Sequence, residues 1–240
     1  MAYQAVFKRY ELKYLLNDAQ LQHVMQAMAP HMQLDAYGDS VIRNLYYDTD
    51  DFRLIRHSIQ KPVYKEKLRI RSYHRAVEGV PVYVELKKKY KHVVYKRRLQ
   101  MKEEKVQAWL SGGDAPEDSQ IAREITYFRD FYPNLHPTIY LSYHRLAYYD
   151  KKGSSFRVTF DTKIRARQTD LTLNSDHSVG TSLLPEGMTL MELKCAGSMP
   201  LWMAHALTEA RIYKTSFSKY GTAYAQMIFP EIKEELFHVR

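Results

Sequence analysis

Cysteine is almost missing from this chain: Cys195 is the only one in 240 residues. A single thiol excludes an intramolecular disulfide and leaves no cysteine pattern for zinc. Met191 and Leu193 share its strand face, so Cys195 is expected in the core. A reducing compartment is compatible with this, and a cytoplasmic location is expected. Long apolar runs are missing too. No stretch approaches the roughly 20 apolar residues of a membrane helix. The opening MAYQAVFKRYELKYLL breaks its apolar residues with charges, unlike a signal-peptide core. A soluble chain is expected. There is no repeat, low-complexity segment or clear linker, so one domain over residues 1–240 is expected. His74, His92 and His144 lack metal-ligand spacing and read as ordinary strand or surface residues. Acidic residues are also in short supply. The 27 Asp and Glu face 36 Lys and Arg, for a formal net charge of +9. That excess points to an anionic partner: nucleic acid, a membrane surface or a phosphorylated small molecule.

What is present is globular and strand-rich. Hydrophobic residues make up 45% of the chain, which excludes a disordered one, and the 20 tyrosines suit strands and a polar interior. Alternating patterns predict eight strands, over 4–16, 40–48, 62–74, 81–90, 92–101, 137–150, 156–167 and 188–196. Helices are predicted over 16–30, capped by Asn17 or Asp18 and ended by Pro30, and over 49–59, capped by Asp48. Further helices follow at 102–113, ended by Gly112–Gly113, and at 118–132, 199–213 and 220–229. Residues 168–187 read as loop. An α+β fold on a largely antiparallel sheet is the expectation.

The strands share a peculiarity of parity. In YKEKLRIRSYH, Lys65, Lys67, Arg69 and Arg71 fall on one face, with Leu68 and Ile70 on the other. Lys87 and Lys89 oppose Val84 and Leu86; Lys96 and Arg98 oppose Leu99 and Met101. Arg157, Asp161, Lys163 and Arg165 oppose Val158, Phe160, Ile164 and Ala166. Glu192 and Lys194 oppose Met191, Leu193 and Cys195, and Tyr143 shares a face with Arg145. A solvated polar face is one reading. But surface charges usually mix signs, and the helices need an apolar surface to pack on. Eight strands closed into a barrel would turn the cations inward and the apolar residues outward under the helices. A polyphosphate fits such an interior, since arginine grips phosphate as a fork and lysine as a point charge.

The motifs FKRYELKY, YYDTDD, LRIRSY, VYVELKKK with VVYKRR, SYHRLAYYD, FRVTFDTKIR, MELK and SFSKYGTAY follow one another in this order. Together they resemble the VTC domain, the polyphosphate polymerase domain of the triphosphate tunnel metalloenzymes, over about Phe7 to Ile228. The resemblance implies an antiparallel eight-stranded closed β-barrel, a tunnel with a polar cationic interior and flanking helices. It implies transfer of the ATP γ-phosphate to polyphosphate. Lys13, Arg69, Arg71, Lys87 and Lys219 match family positions close to the reaction. Tyr143, Arg145 and Arg157 match phosphate-binding positions, and Arg98 and Lys194 join them from the cationic strand faces. Glu192 matches the metal-binding glutamate, for Mg²⁺ or Mn²⁺. Glu11 and Glu85 are weaker candidates that would orient lysines, and Lys65 and Lys67 match no motif. The implied partners are ATP, polyphosphate or triphosphate, and phosphate. Nucleic acid is not expected, since a duplex cannot enter a narrow tunnel. A membrane protein that accepts the product is compatible with the resemblance. A triphosphatase and a non-catalytic polyphosphate-binding module on the same fold stay open. No SPX-like domain accompanies the motifs within these residues.

Overall fold

The structure is a computed structural model and describes residues 10–76, 80–91, 93–174 and 176–238. His92 and the part of the first predicted strand before Tyr10 lie outside these residues. The strands are β1 (Tyr10–Leu16), β2 (Met32–Leu34), β3 (Ser40–Asp48), β4 (Tyr64–Ser72), β5 (Val82–Tyr90), β6 (Val93–Met101), β7 (His136–Asp150), β8 (Arg157–Arg167), β9 (Thr181–Ser182), β10 (Thr189–Cys195) and β11 (Lys214–Thr215). The helices are α1 (Asp18–Met28), α2 (Arg53–Ile59), α3 (Glu103–Leu110), α4 (Gln120–Phe131), α5 (Leu201–Glu209) and α6 (Lys219–Ala223). A π-helical turn, Tyr224–Ile228, runs on from α6 into α7 (Phe229–His238).

All pairings are antiparallel, and the main path runs β11-β1-β10-β8-β7-β3-β4-β5-β6. This corrects the expected closed eight-stranded barrel. The sheet has eleven strands, counting β2 beside β7 and β9 beside β8, and among the described residues no ladder joins its two ends. The reason lies at the free edge of β1. β11 pairs there with Lys13 and Tyr14, and the Lys13 ammonium donates to the Phe217 carbonyl at 2.9 Å. β11 thus takes the middle of the edge that a closing β6 would need. The sheet is a curled trough, bridged across its gap by side chains such as Lys87 and Glu11 at 3.8 Å.

The outer face behaves as the pattern predicts. Leu68, Ile70, Val84 and Leu86 pack outward with Trp109 of α3 and Ile125 of α4, all buried. At the other end Tyr14, Phe160, Met191, Leu193 and Cys195 meet Val24 of α1 and Met203 of α5. Burial of such side chains contributes about 1.5–3 kcal/mol each. Helix boundaries follow their caps. Asn17 and Gln20 form a reciprocal capping box on α1. The Asp48 carboxylate accepts from the Leu54 and Ile55 amides in the first turn of α2, although that helix starts at Arg53 and not at Thr49.

The inner face is not uniformly cationic. Lys163 adopts φ 50°, and the β7–β8 register slips beside it, between Ser142 and His144. This bulge adds a residue and inverts the alternation. Asp161 still faces inward, but beyond the bulge Ile164 and Ala166 do, packed with Ile42, Leu141 and Tyr143. The inward direction expected of Lys163 and Arg165 is therefore corrected: Lys163 is exposed, and Arg165 donates to the Gly180 carbonyl. Tyr220, Ala223, Tyr224 and Ile228 cover this apolar end of the trough.

Candidate active site

The rest of the trough holds a cavity of about 540 Å³, walled by β1, β3, β4, β5, β6, β7, β10 and α6. Ten lysines and arginines line it against three glutamates. Cross-strand register builds this wall, because directly opposed residues share a face. Tyr46 stands opposite Arg69, Arg69 opposite Glu85, and Glu85 opposite Arg98. One row nearer the rim, Lys67, Lys87 and Lys96 oppose one another. Three like charges side by side are unfavourable unless anions intervene.

Two carboxylate centres organise the cations. Glu85, 1% exposed, accepts from Arg69 Nε and Nη2 at 2.9 and 2.7 Å on one oxygen. Its other oxygen faces Lys96 Nζ at 2.6 Å and Arg98 Nε at 3.4 Å. Burial works to raise the Glu85 pKa, but Arg69, Arg71 and Lys96 outweigh it and hold the group well below the usual range. The second centre is Asp161 with Glu192, both buried. Arg145 grips Asp161 with two bonds of 2.6 and 2.7 Å and reaches Glu192 at 3.4 Å. Lys219, from the first turn of α6, donates to Asp161 at 2.5 Å and to Glu192 at 3.1 Å. Burial opposes the charge on Lys219, but these two carboxylates raise its pKa. Tyr143 joins the centres: its hydroxyl accepts from Arg71 at 3.2 Å, and its ring lies under Lys219 and Arg145 at 4.5 and 5.1 Å.

Other cations lack such partners. Lys67 makes one long bond, to Ser218 Oγ at 3.4 Å, and Lys194 reaches Glu192 only at 4.0 Å. Burial depresses both ammonium groups to about 8, and Arg145 adds to the effect on Lys194. Burial would raise the Tyr46 phenol, but Arg69, Lys67 and Arg71 pull it down to about 8. Lys87 holds the Glu11 carboxylate at about 2 despite partial burial. The cavity thus has a fixed tier, held tightly by buried carboxylates, and a loose tier, Lys67, Lys87 and Lys194, whose polar contacts are long.

The structure gathers Lys13, Arg69, Arg71, Lys87, Arg98, Tyr143, Arg145, Glu192, Lys194 and Lys219 around this one cavity. Arg157 stands apart. It is exposed at the far end of β8 and pairs with Asp35 at 3.8 Å. The sequence reading gave no role to Lys67, Lys96, Tyr46 or Asp161. All four had a signal: Lys67 and Lys96 share parity with assigned cations, Tyr46 lies in the YYDTDD motif and Asp161 in FRVTFDTKIR. Glu85, rated weak, is the most heavily ion-paired carboxylate of the β4–β6 wall.

Among the described residues no three His, Cys, Asp or Glu side chains converge on one position. Glu11 and Glu192 each reach Lys13 Nζ at 3.4 Å, so two hard carboxylates face a point now held by an ammonium. Such a pair fits Mg²⁺ or Mn²⁺ when further oxygens complete the shell, and a phosphate chain carries them.

Residues 8–228 match the family model described as the VTC domain. No curated protein matches the chain. A candidate adenylate cyclase from Bacillus halodurans is similar in structure, with TM-score 0.56 at 14% identity over 90% of this chain and 96% of that one. A candidate adenylyl cyclase from Hippeastrum, described with a dominant triphosphatase activity, gives TM-score 0.52 at 16% identity over 90% and 94%. These likenesses show a shared fold.

Proposed function

The chain belongs to the VTC domain family, and from that premise we propose that it is a metal-dependent polyphosphate polymerase. It would move the γ-phosphate of ATP onto a growing polyphosphate and release ADP. The observation that supports this reading is the two-tier charge of the trough. Phosphoryl transfer asks little covalent help from a protein and much placement and charge neutralisation. Buried Glu85 and Asp161 hold Arg69 and Arg145 in set orientations, so these forks are organised before a ligand arrives. In the loose tier, Lys67 bonds Ser218 Oγ at 3.4 Å, and Lys87 and Lys194 reach Glu11 and Glu192 at 3.8 and 4.0 Å, so an entering anion supplies a closer counter-ion. Charge-assisted bonds to such groups are worth about 1.5–3 kcal/mol each.

The roles follow from position. Arg69, Arg71 and Arg145 clamp phosphate oxygens on β4 and β7, with Arg98 beside them on β6. Tyr143 keeps Arg71 and Lys219 in register. Lys13, Lys87 and Lys219 offset the charge that builds on the transferred group. Glu192 with Glu11 would hold Mg²⁺ or Mn²⁺, which when bound supplies charge neutralisation across phosphate oxygens. The acceptor is itself a phosphate oxygen, so no protein nucleophile is needed. The cavity is too small for duplex nucleic acid.

A second reading, a triphosphatase, draws on one observation: the trough is open along the side where β6 and β1 do not pair. Water can reach the transferred group there and serve as acceptor. Incubating the protein with ATP and Mn²⁺ separates the two. The polymerase yields ADP with long polyphosphate; orthophosphate without polymer would favour the hydrolase.

A further inference from the structure

A second cavity of about 430 Å³ lies outside the trough, between α2, β4 and α4. That volume is ordinary for a small-molecule site. We infer that this cavity binds a mononucleotide, stacking its base on the aromatic face of α4 and holding its phosphate with the cations around it.

The aromatic half is prebuilt. Tyr127 and Phe131, one turn apart on α4, stack at 6.0 Å between centroids yet stay 68% and 50% exposed. Tyr64 and Tyr132 each donate a hydroxyl to the Glu66 carboxylate, at 2.6 and 2.7 Å, which fixes both rings. Adjoining exposed rings are unfavourable on a free surface and suited to a planar ligand.

The charged half selects the sign of that ligand. Arg53 lies over the Phe131 and Tyr132 rings at 5.9 and 5.5 Å and makes no ion pair among the described residues. Lys65, which donates to the Ser58 carbonyl at 3.1 Å, Lys88, which reaches Glu124 at 3.9 Å, and His57 also line the cavity. Glu66 is its single acid, and both its oxygens already accept from tyrosines. A cationic ligand would meet Arg53 and Lys65, and a neutral apolar one would desolvate them without return. A planar ring carrying an anion satisfies both halves. Lys65 also belongs to the trough-facing row of β4, opposite Lys89 and next to the Lys67–Lys87 pair. The cavity therefore opens beside the trough rim and is separate from the triphosphate position.

The experiment is a calorimetric titration of the full chain with AMP while excess tripolyphosphate occupies the trough. AMP is expected to bind, and its affinity to fall about tenfold or more in Phe131→Ala and Arg53→Ala, the size of a lost base–aromatic stack. Tripolyphosphate affinity is expected to stay unchanged in both variants. Absent AMP binding, displacement of AMP by tripolyphosphate, or wild-type AMP affinity in the variants would each overturn the inference. None of these outcomes bears on whether ATP is turned into polyphosphate, so this site and the polymerase reading fail separately.

Discussion

Glu85 sets the charge balance of one trough wall. Its two oxygens neutralise Arg69, Lys96 and Arg98, and little solvent reaches it. Removing one partner of a buried ionic cluster leaves the others uncompensated, at a cost of about 3–5 kcal/mol. Glu85→Gln is therefore expected to lower the unfolding free energy from urea denaturation by that amount, and with it the midpoint, with tripolyphosphate restoring part of the loss. An unchanged midpoint would contradict the role. Lys67 and Lys194 make a second prediction, on pH. Their ammonium groups titrate near 8 in the fold, below the ordinary lysine value. Between about 8 and the unfolded value the unfolded chain binds more protons, so these residues make stability rise with pH in that window. Anion affinity runs the other way, since neutral lysines attract no phosphate. Titrations at pH 7 and pH 9 should show weaker tripolyphosphate binding at pH 9 with proton uptake. Tighter binding at pH 9 would contradict it. Arg69 and Arg71 were legible in the sequence because alternation put them on a cationic face. Glu85 was legible only as a weaker candidate for orienting lysines, because a glutamate among lysines reads equally well as a surface partner.

Strand parity located most of the sheet, since one-sided burial imposes a period of two. It failed beyond Lys163, where a bulge in a non-glycine residue leaves no mark in composition. Left-handed backbone costs roughly 1–2 kcal/mol for an ordinary residue and little for glycine. Lys163→Gly is thus expected to be neutral or to stabilise by up to about 1 kcal/mol, and Lys163→Val to destabilise, read from denaturation midpoints. A glycine variant weakened like a mid-strand glycine would argue against the bulge. Asp48 was legible as a cap, but not its long-range tie: Tyr220 donates to it at 2.9 Å, from a helix 172 positions away. Asp48→Ala should therefore cost about 2 kcal/mol or more, since it frees two amides of α2 and unties the α6 segment. A loss well below that would show that the tie contributes nothing.

At the scale of the molecule, alternation alone could not decide between a closed barrel and an open trough. Closure depends on which strand edges meet, and the two-residue β11 that occupies the edge of β1 carries no strand signal in the sequence. The surplus of cations in the cavity was legible; the carboxylate centres that fix part of it needed the folded register. Under the proposed function that surplus is a binding site for a phosphate chain. Calorimetry with tripolyphosphate at pH 7 tests this most directly. Wild-type protein should bind, and Arg69→Ala with Arg71→Ala should bind about 100-fold more weakly or worse, given about 1.5–3 kcal/mol for each charged bond lost, with an unchanged circular dichroism spectrum. Equal affinity in the doubly substituted protein would contradict the central claim.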